Sequence, residues 1–138
     1  MELTDTENYV LANAAEAGGC WLWELGAAAE TQLEDRVLHW HGVDPSAAQA
    51  AAIDLYRKGF AIVTGEHVDE RQHYTGETWV VEESDAVAAL SDLANWAEPS
   101  AAPPRAAVYR LAATSAGETA LAAADGLEPD EVRVKPGA

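Results

Sequence analysis

The change of period around Gly59 constrains this fold more than any other feature of the chain. Asp44-Pro45 places an N-cap before a proline at the first helical position, where a missing N–H costs nothing. Ala48, Ala52, Leu55 and Tyr56 then recur at the spacing of one helix face, and Gly59 stands where a C′ glycine belongs. From Phe60 to Thr64 the chain reads as a strand. Thr78 to Glu82 reads as a second, because Trp, Val and Thr suit a pleated surface. The polar stretch 65–77 between them has two glycines and Val68 as its only aliphatic residue, which predicts a hairpin with a long loop.

Other punctuation places the remaining elements. Thr4-Asp5-Thr6-Glu7 is a capping box, and Leu11, Ala14 and Ala15 continue at helical spacing until Gly18-Gly19. Trp21, Leu22, Leu25 and Ala29 fit a second, short helix. Thr31-Gln32-Leu33-Glu34 repeats the capping pattern, with Leu33, Val37 and Trp40 on one face and Gly42 at the end. Ser84 can cap a helix that turns Val87, Leu90 and Ala94 inward, with Trp96 near its end. Pro99, Pro103 and Pro104 mark a loop and Ala107 to Leu111 a strand. Ser115-Ala116-Gly117-Glu118 opens a last helix that buries Leu121. The expected architecture is mostly α with a small antiparallel β-wing (α+β), in a single domain over 1–126 followed by a flexible C-terminal tail at 127–138.

A chain of 138 residues can bury one core. Its apolar runs are too short to span a bilayer, Met1 to Asp5 has no signal-peptide character, and the lone Cys20 cannot form an internal disulfide, so a cytoplasmic protein is expected. Twenty-four acids face eight bases, for a formal net charge of −16, and the acids are scattered rather than collected in a tail. Three origins fit: adaptation to a salt-rich cytoplasm, where repulsion is screened; mimicry of nucleic-acid charge; or an ordinary acidic protein. No phosphate loop, H-E-x-x-H or G-x-S-x-G stands in the sequence, and Glu82-Glu83 would point to opposite faces of a strand, so no enzyme is expected. His39 and His41 do not share a helix face, and His67, Asp69, Glu70 and His73 have the composition of a polar loop. No metal or other cofactor is expected from either group.

Three stretches resemble a winged helix-turn-helix protein of the broad MarR-like kind. Residues 3–11, LTDTENYVL, are similar to the opening helix of such domains. Residues 51–63, AAIDLYRKGFAIV, are similar to the end of a recognition helix entering the first wing strand. Residues 108–121, VYRLAATSAGETAL, resemble a last wing strand and the helix that often reads YRLTxxGxxxL, with Ala112 where the threonine is usual and Thr114 two residues later. The resemblance implies a winged-helix-like fold and a DNA-binding transcriptional regulator. Candidate contacts are Gln49, Arg57 and Lys58 on the helix, with Arg71 and His73 at a wing tip able to enter a minor groove. The wing itself falls at 65–77 or at 99–104. The resemblance also implies a homodimer built on the terminal helices, with Tyr9, Trp23 and Leu121 as candidate contacts; an exposed tryptophan such as Trp23 suits an interface anchor. A chain of this charge is repelled by a polyanion in dilute buffer, and in molar salt it loses the counterion-release gain. The competing expectation is an acidic adaptor that binds another protein, or an antagonist that mimics nucleic acid.

Overall fold

The computed structural model describes residues 3–15, 19–26, 29–32, 36–40, 42–98, 104–123 and 130–133. Their order is α1 (Asp5–Ala14), β1 (Cys20–Trp21), a 3₁₀ turn (Leu22–Glu24), β2 (Ala29–Gln32), β3 (Arg36–Trp40), α2 (Pro45–Arg57) and β4 (Ala61–Val68). There follow β5 (Tyr74–Val80), α3 (Glu83–Ser91), a second 3₁₀ turn (Leu93–Trp96), β6 (Ala107–Ala113), α4 (Ser115–Ala123) and β7 (Asp130–Arg133). The strands form two antiparallel sheets, a four-stranded one ordered β1-β6-β4-β5 and a three-stranded one ordered β2-β3-β7.

The α+β character expected from the sequence stands, but the β content exceeds a wing. Two expected helices are replaced. Of the stretch 21–29, Trp21 ends β1, Leu22–Glu24 form a 3₁₀ turn and Ala29 opens β2; of 31–42, residues 31–32 and 36–40 lie in the paired strands β2 and β3, with Ala29 opposite Trp40 and Gln32 opposite Val37. Nor is the polar stretch 65–77 a long loop. Strands occupy most of it, and the turn is confined to Asp69–His73. Asp69 builds that turn, its Oδ1 accepting from the amides of Arg71 and His73 at 2.9 Å each while its backbone N–H donates to the His73 carbonyl. The expected tail contributes β7, whose Val132 lies opposite Val37.

The core lies between one face of the larger sheet and α1, α2 and α3. Val10, Leu11, Leu22, Leu25, Leu55, Leu90 and Leu111 are fully buried there, each burial worth about 1.5–3 kcal/mol. Alternation along the paired strands assigns the faces. Ala61 and Val63 lie opposite Ala113 and Leu111 and face the core; Ile62, Thr64 and Glu66 lie opposite Ala112, Arg110 and Val108 and face away.

Three junctions lock the layers. The capping box at Thr4 forms as read, and its Glu7 also receives Lys58 at the end of α2 (Nζ to Oε2, 2.5 Å). Asp44 caps α2 through the amide of Ser46, and the Ser46 hydroxyl bond, ahead of a backbone amide, holds the exposed Asp44 carboxyl below its usual range. The cap expected at Ser115 is made instead by Thr114, one residue earlier, as a single N-cap bond rather than a capping box. Thr114 accepts from the Gly117 amide at 3.0 Å, while its own hydroxyl donates to the Gly59 carbonyl at 2.7 Å. Thr114→Ala removes both bonds, and urea denaturation should show a loss of about 1–2 kcal/mol.

Candidate interaction surface

The residues expected to meet DNA do not converge. The exposed face of α2 presents Ser46, Ala47, Ala50, Asp54 and Arg57, so one cation stands beside one carboxylate. Gln49 is half-buried and donates to the Leu90 carbonyl of α3 at 2.8 Å. Lys58 is held by the buried Glu7. Burial alone would raise the Glu7 carboxyl, but the Lys58 ammonium and the Thr4 amide outweigh it and hold that carboxyl below its ordinary range. Arg71 and His73 are exposed at the β4–β5 turn, with His73 Nδ1 4.0 Å from Asp69. Strand β4, which starts just after Arg57 and ends just before that turn, covers about 25 Å. Arg57 therefore stands at the other end of the strand from Arg71. The second wing location, 99–104, lies outside the described residues apart from Pro104.

The turn is braced from behind. Gln72 adopts a left-handed backbone (φ 62°), and its side-chain amide clamps Arg105, donating to the Arg105 carbonyl at 3.2 Å and accepting from its N–H at 3.0 Å. His67 is not drawn toward His73; it stacks on Trp79 at 4.4 Å between ring centroids. No three His, Cys, Asp or Glu side chains among the described residues converge on a common point.

The dimer candidates fall on different parts of the molecule. Tyr9 is 8 % exposed, and burial pushes its hydroxyl up from the usual phenol range, so it has little surface to offer a second copy. Leu121 packs half-buried against the core. Trp23 lies parallel to Trp21 at 4.9 Å and lines a shallow apolar cleft of about 110 Å³ with Leu22, Val43, Pro45, Ala48 and Trp96.

Two features were missed by reading the sequence. The first is a cross-strand group on the outer face of the larger sheet. Register places Trp21 opposite Arg110, whose guanidinium lies 3.7 Å from the indole centroid, a cation–π contact; Tyr74 approaches the same indole at 5.3 Å. Glu66 completes the group, 3.8 Å from Arg110 and accepting from the Gly76 amide at 3.3 Å. The second is the reach and position of β5, expected as a strand only from Thr78 but running from Tyr74 to Val80. This strand is the most exposed of its sheet, with Val80 63 % and Tyr74 48 % accessible, and it lies at the sheet edge. Its β-prone residues were in view, but Gly76 and Glu77 interrupt their alternation.

No helix among the described residues is long and apolar enough to cross a membrane. No protein-family model, curated protein or solved structure matches this chain.

Proposed function

We propose that this protein is an acidic interaction module that docks a basic segment of another protein. One observation carries the reading: the side chains a DNA-reading helix would extend are engaged inside the fold. Gln49 is bonded to α3 and Lys58 to Glu7, and the remaining exposed face of α2 is small, apolar or acidic apart from Arg57. A chain with 24 acidic and 8 basic residues favours a cationic partner through long-range steering. Trp23 and the cleft beside it offer an apolar anchor of the kind interfaces use.

A second reading, a dimeric winged-helix-like DNA-binding regulator, draws on the order α2, Gly59, β4, turn, β5 with Arg71 and His73 exposed at the turn. It is also favoured by the T-x-x-G spacing of Thr114 and Gly117, which closes a real cap. One pair of selections separates the two. The folded protein is offered a displayed library of random short peptides and a pool of genomic DNA fragments, each in dilute buffer and in molar potassium chloride. The expected result is enrichment of lysine- and arginine-rich peptides in dilute buffer, weakening with salt, and no enriched DNA site. Enrichment of a short DNA site lost in Arg57→Ala and Arg71→Ala would replace the first reading with the second. Enrichment of neither would remove both.

A further inference from the structure

We propose that the outer edge of β5 is where the partner binds, and that it binds by adding a basic, extended segment as a fifth strand of the larger sheet. The proposal rests on the interaction-module reading above and gives that reading a location and a partner chemistry.

The edge is open. In the order β1-β6-β4-β5, strand β5 is terminal, and no described strand lies beyond it. The ladder shows which backbone groups are available. Val81 N–H donates to the Val63 carbonyl at 2.9 Å, and the register sets Trp79 opposite Gly65 and Val80 opposite Thr64. Antiparallel strands alternate pairs that exchange hydrogen bonds with pairs that do not. Trp79 and Val81 therefore turn their amides toward β4, whereas Thr78 and Val80 turn theirs away from it, to the free edge.

Sheet edges in monomeric proteins are ordinarily blunted by lysine, proline, a bulge or a covering element. Strand β5 has neither lysine nor proline. Its irregularities lie toward the turn, where the register shifts opposite Glu66 and Val68 and Gly76 adopts φ 79°. From Thr78 to Val80 the strand is regular, and Thr78 and Val80 are both exposed. An added strand would exchange main-chain bonds with Thr78 and Val80 and set a small or β-branched side chain beside Val80.

Charge complementarity selects the occupant. Glu77, Glu82, Glu83 and Asp85 flank this segment and are all exposed, and the sequence from 74 to 104 contains no lysine, arginine or histidine. A strand alternating lysine or arginine with valine or threonine satisfies both the edge and this field. A second copy of the chain would bring another −16 to the same edge.

The test uses the whole chain and a synthetic peptide alternating lysine with valine and threonine. Its glutamate-substituted counterpart and a backbone N-methylated version serve as controls. Titration followed by amide NMR should show saturable binding of the lysine peptide, with shifts centred on Thr78 and Val80, and little binding of either control. Val80→Lys keeps the backbone donor but places a like charge on the edge, and Thr78→Pro removes an outward donor without touching the β4 ladder. Each should weaken binding about tenfold with the far-UV spectrum unchanged. If Thr78→Pro fails to fold, Val80→Lys decides alone. Undiminished binding by the folded variants, or shifts centred on the Trp23–Trp96 cleft, would overturn the edge assignment and leave the interaction module standing. Equal binding of the glutamate peptide would overturn the charge argument. A concentration-dependent dimer broken by Val80→Lys would make a second copy the occupant. Failure of every library peptide in the selection above would instead remove the module reading itself.

Discussion

Gly117→Ala should destabilise the protein by about 2–3 kcal/mol, although the same exchange in a helix ordinarily stabilises by about 1 kcal/mol. The inversion comes from where α4 sits. A Cβ built on Gly117 would stand 2.0 Å from the Phe60 carbonyl oxygen, and that oxygen belongs to backbone. Phe60 cannot retreat cheaply, because its carbonyl accepts the Thr114 amide at 3.0 Å and its own N–H donates to Leu55 at 3.0 Å. The helix would have to move instead, straining the Thr114 bonds to Gly59 and Gly117. Gly59→Ala is the matched control. Its backbone is left-handed (φ 78°) but nothing lies within 4 Å of the added methyl, so only the conformational cost of about 1 kcal/mol applies. Thermal and urea unfolding at one fixed salt concentration should rank Gly117→Ala below Gly59→Ala, with a melting temperature lower than the parent by about 5–10 °C. A Gly117→Ala variant as stable as the parent would mean that α4 does not pack on the Phe60 turn.

That turn also shows what the sequence could and could not announce. Asp44, Pro45, Gly59, Thr4 and Glu7 act within one helical turn of themselves, so their signals are local and each stands where it was read. The segment from Trp21 to Trp40 misled for the opposite reason. Leu33, Val37 and Trp40 satisfy a helix face, and Thr31 to Glu34 satisfies a capping box, but Val37-Leu38-His39-Trp40 is an equally good strand. The tie is broken by β7, far along the chain, whose Val132 pairs with Val37. No local pattern reports such a partner. The outer-face group was hidden in the same way: Trp21 and Arg110 meet only because β1 pairs with β6. Gln49 and Lys58 have the donors a nucleic-acid contact needs, but the acceptors that claim them, the backbone carbonyl of Leu90 and the carboxylate of Glu7, lie on other elements.

Lys58 carries the other large effect. Lys58→Met should cost about 3 kcal/mol at neutral pH, by leaving the Glu7 carboxylate 4 % exposed without its cation. The figure lies at the lower end for a broken buried pair because the Lys58 side chain keeps 23 % exposure. Glu7→Gln should cost less, about 1 kcal/mol, since its side-chain oxygen can still accept from the Thr4 amide and Lys58 can turn toward water. The double variant should be more stable than Lys58→Met alone, because no buried charge remains. Acidification gives an independent check with a definite sign. In the parent the folded-state pKa of Glu7 lies below its ordinary 4.5, so the stability it contributes is present above that value and is lost as pH falls through the depressed one. In Lys58→Met the cation is gone while burial and the Thr4 hydrogen bonds remain, so the folded-state pKa of Glu7 rises above that of the parent. The variant then loses less stability than the parent as pH falls through this range. The stability gap between parent and Lys58→Met should therefore narrow as pH falls toward and below 4.5, while titration of the other carboxylates cancels in the difference. A gap that stays constant across that range would mean that Glu7 is not the partner Lys58 serves, and would return Lys58 to the residues free to meet a polyanion.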